Sequence, residues 1–248
     1  MKTLNINQNE SLGAMVTRYP ALRAVFEKHR LDYCCNGQQT LQQAAKKAGL
    51  DVAALQDELA AAVQAAASGT PPKDWNAAGT EELCDYIVDH HHGFMRRQLP
   101  RLRTLFDQVR AAHGETHGDL IDALREVFDG LAAEIEMHLE KEEQILFPYI
   151  TQFERHLLAG APLPEVHCGS VQNPIRQMEY EHDNAGAALD RMRQLTSNWQ
   201  PPDDACEKFK ALYDGLAELE SDLHAHIHLE NNILFPKAVL IEQKAASE

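Results

Sequence analysis

The sequence predicts an all-α protein, a small N-terminal helical domain followed by an antiparallel four-helix bundle. Three observations carry this. Beyond residue 80 the apolar residues recur at three- and four-residue steps through four long stretches, with no convincing strand. Glycine and proline gather between those stretches. The second half of this region also repeats the first at an offset of 88 residues, so that His138-Leu139-Glu140-Lys141-Glu142-Glu143-Gln144-Ile145-Leu146-Phe147-Pro148 matches His226-Ile227-His228-Leu229-Glu230-Asn231-Asn232-Ile233-Leu234-Phe235-Pro236.

Taken in chain order, Ser11 to Ala67 reads as several short helices. Gly49 stops one of them, and Asp51 caps a helix that runs to Ala67. Ser68-Gly69-Thr70-Pro71-Pro72-Lys73-Asp74 cannot continue a helix, because its prolines lack the backbone donor. The expected organisation is therefore a helical domain over residues 1–68, a flexible linker over 69–79 and the bundle over 80–248. A Gly/Pro linker would let the small domain sample positions near the bundle or near a client. The bundle helices are expected at Thr80–Ala112, Asp119–His156, Pro174–Asn198 and Asp203–Ile241. Between them lie Gly114 and Gly118, then a long loop from Phe153 to Asn173 with Gly160, Pro162, Pro164, Gly169 and an unassigned Cys168, then Pro201 and Pro202. Short first and third connections suit an up-down bundle.

The chain has 248 residues, 38 acidic and 23 basic, for a formal net charge of −15. That balance argues against nucleic acid or an anionic membrane as partner, since phosphates would be repelled. Met1 to Glu10 contains no secretory apolar core, and no stretch approaches the ~18 to 20 apolar residues of a membrane span. A cytoplasmic protein is expected. Five cysteines, Cys34, Cys35, Cys84, Cys168 and Cys206, are odd in number and mostly far apart, which is not a disulfide framework.

The 13 histidines carry the functional argument. In the second bundle helix the buried stripe reads Leu124, Phe128, Leu131, Ile135, His138, Glu142, Ile145, Tyr149. The third reads Ile175, Met178, His182, Ala185, Leu189, Met192, and the fourth Leu212, Leu216, Leu219, Leu223, His226, Glu230, Ile233. In the first, Val88, Met95, Leu99, Leu102, Phe106 and Val109 leave both His91 and His92 on the stripe, and periodicity does not choose between them. His224 and His228 flank the seam, as solvated groups or as neighbours of the ligands. His113, His117, His156 and His167 fall in or beside turns.

A lone buried histidine is most simply a hydrogen-bonded core residue. Six ionisable groups on converging seams are different. Each uncompensated buried charge costs several kcal/mol, against a total domain stability of ~5–15 kcal/mol. Metal binding compensates them. One tetrahedral zinc takes only four ligands. Two six-coordinate ions offer about twelve positions, of which four imidazoles and two bridging carboxylates fill about eight. The open positions suit an oxo or hydroxo bridge and O₂ or NO. Mixed nitrogen and oxygen ligation is typical of iron, with manganese and dizinc left open.

The doubled His-x-x-x-Glu, each preceded by another helix-borne histidine, resembles the hemerythrin-like di-iron bundle. Asp32-Tyr33-Cys34-Cys35-Asn36-Gly37 with Gln39-Thr40-Leu41 resembles the N-terminal domain of the repair-of-iron-centres family. So do Gln98-Leu99-Pro100, Lys141-Glu142-Glu143-Gln144-Ile145-Leu146-Phe147-Pro148, Glu181-His182-Asp183 and Leu229-Glu230-Asn231-Asn232. The resemblance implies the metal ligands His92, His138, Glu142, His182, His226 and Glu230, the anchor at Gln98-Leu99-Pro100 selecting His92 over His91. It places Glu134 and Glu181 near the metal pocket. It implies a cofactor of two non-haem iron ions and a stress-response role restoring iron–sulfur clusters damaged by nitric oxide or oxidants. Its partners would be damaged iron–sulfur proteins and the gases NO and O₂. Whether such a protein donates iron, processes NO or does both stays open, as does the oligomeric state, a homodimer included. The competing class is a hemerythrin-type O₂ or NO carrier or sensor, which has no need of an appended thiol domain. Cys34 and Cys35 are read either as relay thiols or as small buried hydrophobes. Near a helix that starts around Thr40 their pKa is expected to fall.

Overall fold

The computed structural model describes residues 6–67, 73–164 and 169–246. Cys168 and His167, Ser68, and Gly69 to Pro72 of the expected linker lie outside the described residues. Every regular element among the described residues is helical, apart from one isolated bridge between Ser11 and Thr40. No helix among the described residues is long and apolar enough to cross a membrane.

Four helices build the N-terminal unit: α1 (Leu12–Arg18), α2 (Leu22–Lys28), α3 (Leu41–Ala48) and α4 (Val52–Ala66). Local chemistry fixes their ends. Ser11 Oγ accepts from Ala14 N, Thr40 and Gln43 form a reciprocal capping box, and Asp51 caps α4 from Ala53 N at 2.8 Å. Gly49, at φ 69°, closes α3 in the left-handed conformation that glycine adopts without strain.

The bundle comprises α5 (Thr80–Tyr86), α6 (Gly93–Lys141), α7 (Phe147–Ala159), α8 (Gln172–Leu195), α9 (Glu207–Leu229) and α10 (Phe235–Ala245). Three π-helical turns, Ile87–His92, Glu142–Leu146 and Glu230–Leu234, join α5 to α6, α6 to α7 and α9 to α10. The loop expected around Gly114 and Gly118 is compressed to a reversal at His117, which leaves helical geometry at φ −127°, ψ 17°. Arg110 lies over this turn, where a Cβ on Gly114 would meet its Nη1 at 1.9 Å, and it binds Asp122 at 2.7 Å. Arg103–Glu136 and His92–Glu143 pair the same two rods further from the turn, as antiparallel packing requires.

Two further boundaries differ from expectation. The helix expected to end at His156 runs to Ala159, where Gly160 (φ 64°) caps it, so the following loop is shorter. The third bundle helix ends at Leu195, because Ser197, Asn198 and Trp199 all take positive φ. Trp199 Nε1 donates to the buried Glu220 at 2.9 Å, and Arg193 pairs with the same carboxylate.

The small domain is docked. Its Leu12, Met15, Phe26, Tyr33 and Leu41 belong to one continuous apolar core with Phe106, Phe128, Leu212 and Leu216 of the bundle. Asn232 Nδ2 donates to the carbonyls of Tyr33 and Cys34 at 3.3 and 3.2 Å. His228 is buried in this interface against Thr17, Asn232 and the Tyr33 ring. His224 meets the edge of the same ring. For His228 the expectation of a solvated group or a neighbour of the ligands is thus corrected, whereas His224 keeps partial exposure on a cavity wall. His228 joins the two domains, and the small domain takes the position near the bundle that the linker was expected to allow.

A second apolar cluster, including Leu83, Ile87, Phe147, Ile150, Ile233 and Phe235, fills the other end of the bundle. Between the two clusters lies a layer of buried polar side chains.

Candidate metal centre

Three of the six polar side chains lie in the π turns. His92 ends the first turn, Glu142 begins the second and Glu230 begins the third. The last two turns each run into a Phe-Pro pair. Proline has no N–H to return to the carbonyl four residues back, so the ladder is already interrupted where the helix widens. The first turn carries two consecutive inward histidines, His91 and His92, with 6% and 0% exposure. His90 instead stacks on Tyr86 at the surface.

Two groups of side chains converge closely enough to hold a metal ion each, His92, Glu142, His226 and Glu230 in one, His138, Glu142, His182 and Glu230 in the other. All six are buried, and both carboxylates are common to the two groups. His92 Nε2 and His138 Nε2 each lie 3.3 Å from a different oxygen of Glu142. His226 Nε2 and His182 Nε2 lie 2.9 and 3.1 Å from the two oxygens of Glu230.

The outer ring nitrogens set the tautomers. His92 Nδ1 faces Glu143 Oε1 at 2.6 Å, His138 Nδ1 faces Glu181 Oε2 at 2.8 Å, and His182 Nδ1 faces Asn231 Oδ1 at 2.9 Å. These oxygens only accept, so each Nδ1 carries the proton and each Nε2 lone pair points inward. The inward atoms then lack donors. His92 Nε2, both oxygens of Glu142 and Glu230 Oε2 are buried without a hydrogen-bond partner. His138 Nε2 and His182 Nε2 face each other at 3.1 Å. Acceptors directed at one another in a dry core are unfavourable unless a cation sits among them, so the donor set fits metal ions.

Charge in the metal-free chain supports the same conclusion. Burial opposes ionisation of His138, yet the Glu142 and Glu230 carboxylates push it up to about 10. Burial would raise Glu230, but His226 and His182 hold it well below the ordinary carboxylate range. In place of a cation, the two carboxylates favour a proton on His138.

The repeat is not symmetric. Glu143 and Asn231 occupy equivalent positions 88 apart, and each orients a histidine of the neighbouring helix. Glu181, just before His182, orients His138, while the residue just before His92 is His91. His91 stacks on His226 with centroids 5.6 Å apart and turns its own Nδ1 to Asp222 at 3.1 Å. His226 Nδ1 is therefore left buried and unpartnered. Sequence reading gave no role to Glu143, Asn231 or Asp222. The first two were visible as the residues directly after the paired glutamates. Glu134 is exposed and lines a cavity of about 20 Å³ beside His138, His182 and His226.

Cys34 is buried and Cys35 half-buried, with sulfurs 3.8 Å apart. The pair lies beside the metal layer, Cys35 Sγ being 3.7 Å from the carbonyl oxygen of His182. The expected fall in thiol pKa does not occur at Cys34. The adjoining Cys35 thiol, burial and the Asp32 carboxylate hold it well above its ordinary value. Helix α3 starts where expected, with Thr40 as its N-cap, but Cys35 stands five residues before that cap.

Residues 84–238 match the hemerythrin HHE cation-binding domain, and residues 8–63 match ScdA_N, a domain of unknown function. The iron-sulfur cluster repair protein YtfE of Yersinia pestis (strain Pestoides F) is 38% identical over 232 residues, covering 94% of this chain and 97% of that protein. The protein of the same name from Yersinia pseudotuberculosis serotype O:3 (strain YPIII) matches with the same identity and coverage.

Proposed function

This chain belongs to the hemerythrin-domain family of iron–sulfur cluster repair proteins, and from that premise we propose that it restores damaged clusters by giving up iron from a two-iron centre. Residues His92 and His226 would hold one ion, His138 and His182 the other, with Glu142 and Glu230 bridging both. Bound iron would supply open coordination for NO, O₂ or a bridging oxygen.

The observation that favours donation is the asymmetry at His226. His138 and His182 each have a hydrogen-bonded partner at the outer nitrogen, whereas His226 has none. Loss of such a partner typically weakens metal affinity about 10- to 100-fold. The ion between His92 and His226 is accordingly the more weakly held, as a donor requires. The chain's other residues suit the task. Glu143, Glu181 and Asn231 keep three imidazoles oriented, the apolar clusters exclude bulk water from both ends, and the cavity beside Glu134 admits about one water-sized molecule. That room favours gas access to the same centre, so NO handling is the second reading. Cys34 and Cys35, docked beside His182, would relay iron or NO toward a damaged iron–sulfur client, and their free thiols suit a cytoplasmic setting.

The test loads full-length protein with iron and adds a nitrosylated iron–sulfur enzyme, following iron content and enzyme recovery together. One iron per chain should leave quickly and recovery should track it. Changing Cys34 and Cys35 to Ser should slow recovery without changing iron content. Recovery with both irons retained would replace donation by NO processing. Reversible binding of NO or O₂ without recovery would favour a carrier or sensor.

A further inference from the structure

Asp32, Cys34 and Cys35 offer one oxygen and two sulfurs within 4.8 Å of one another, outside the buried centre. A tetrahedral metal bound to two thiolates at ~2.3 Å needs its sulfurs about 3.8 Å apart, and Cys34 Sγ and Cys35 Sγ lie 3.8 Å apart. A disulfide would require about 2.05 Å. Cys34 Sγ also points its proton at Asp32 Oδ1, 3.3 Å away, close to the sulfur–oxygen edge of the same tetrahedron. Asp32 Oδ1 is itself held by the backbone N–H groups of Cys34 and Cys35 at 3.1 and 2.9 Å, so the three donors form a preset face.

Two cavities open onto this face, of about 310 and 250 Å³, both lined by Cys34, Cys35 and Asp183. Their charge favours a cation. Glu27, Asp183 and Asp190 line the larger one against Arg30, while Arg193 is already paired with Glu220. The face is also joined to the buried centre. Asn231 Nδ2 donates to the carbonyl of Cys34 at 3.3 Å while its Oδ1 accepts from His182 Nδ1 at 2.9 Å.

We propose that Asp32, Cys34 and Cys35 form a third metal site, for a divalent cation of borderline softness such as ferrous iron or zinc, with its fourth position open to the cavity. Binding exchanges two thiol protons for one dication, and the protons pass to solvent. The oxygen that faced the Cys34 proton then faces the metal. Cargo iron at this site would stand between the buried centre and a client ligand, so the proposal deepens the donor reading and rests on it.

Cobalt(II) added to the iron-loaded full chain tests the site, because a thiolate-to-cobalt charge-transfer band reports sulfur ligation and the buried centre has no sulfur. One cobalt per chain should produce the band. Cys35→Ser and the Cys34→Ser/Cys35→Ser double variant should abolish it while the two irons of the buried centre are retained. Asp32→Asn keeps an oxygen for the backbone donors and should weaken cobalt binding about tenfold. A band that survives in the double variant, or none in the unaltered chain, overturns the proposal. Iron measured in the same samples separates this outcome from failure of the donor reading, since a chain that forms the band yet holds no iron would overturn that reading alone.

Discussion

Substituting Gly13 with Ala tests the docking of the two domains most directly. A Cβ at Gly13 would stand 2.1 Å from Asn232 Oδ1, 2.7 Å from its Cγ and 3.2 Å from the carbonyl oxygen of Gly37. The Asn232 side chain must move, and its hydrogen bonds to Tyr33 O, Cys34 O and His228 move with it. Overpacking of this kind costs about 1–3 kcal/mol, and each hydrogen bond lost adds about 0.5–1.5 kcal/mol. With partial relaxation the loss should be on the order of 2–4 kcal/mol. For a chain of this size that lowers Tm by about 5–15 °C. Thermal unfolding of samples with equal iron content measures it. Asn232→Ala removes the obstructing atoms, so the double variant should lose about 1–2 kcal/mol less than the two single losses added together. A Tm shift under about 1 °C for Gly13→Ala, or strictly additive losses, would refute the packing argument.

Replacing Glu142 or Glu230 with Leu should remove iron from the centre while the metal-free chain stays folded, because Leu suits a dry core better than an unpaired carboxylate; iron analysis alongside circular dichroism decides it, and full iron occupancy would defeat the assignment. His92→Ala should remove the ion held with His226, whereas His91→Ala should leave it bound, since His91 turns to Asp222 and lies outside both metal-capable groups; the reverse pattern would move the ligand by one residue. Glu181→Gln leaves His138 without its carboxylate, and affinity for the second ion should fall about 10- to 100-fold, making the two irons leave at more similar rates in a chelator assay. Burial and the Arg23 charge lower His228 to about 4, so between pH 6.5 and 4 the unfolded imidazole takes up a proton that the folded one refuses. Stability should therefore fall as pH drops through that window, by at most about 3 kcal/mol, and His228→Gln should flatten this part of the pH–stability curve. An unchanged curve would contradict the burial argument.

Much of the fold and most of the convergent side chains were legible because helical periodicity converts spacing into facing. Ile175, Met178, His182, Ala185, Leu189 and Met192 are all buried, as their three- and four-residue steps require. Where the helix widens, the rule slips. The stripe read Glu142, Ile145, Tyr149, but Ile145 is 49% exposed and Leu146 and Ile150 are buried instead. One extra residue in the π turn moves the inward face one position along the chain. The same slip buries Ile87 in place of Val88 and admits His91 beside His92, which is why periodicity could not choose between them.

By itself the sequence determined the helices, the reversal between the first two bundle rods and the doubled His-x-x-x-Glu pattern, because these depend on residues within a few positions of one another. Only the tertiary structure decided what meets across the chain. Glu181 reaches His138 from a different helix, Asn231 links His182 to the cysteine turn, and His228 closes a domain interface rather than facing solvent. Those contacts depend on the phase of one helix against another, and three π turns reset that phase in ways no local spacing records.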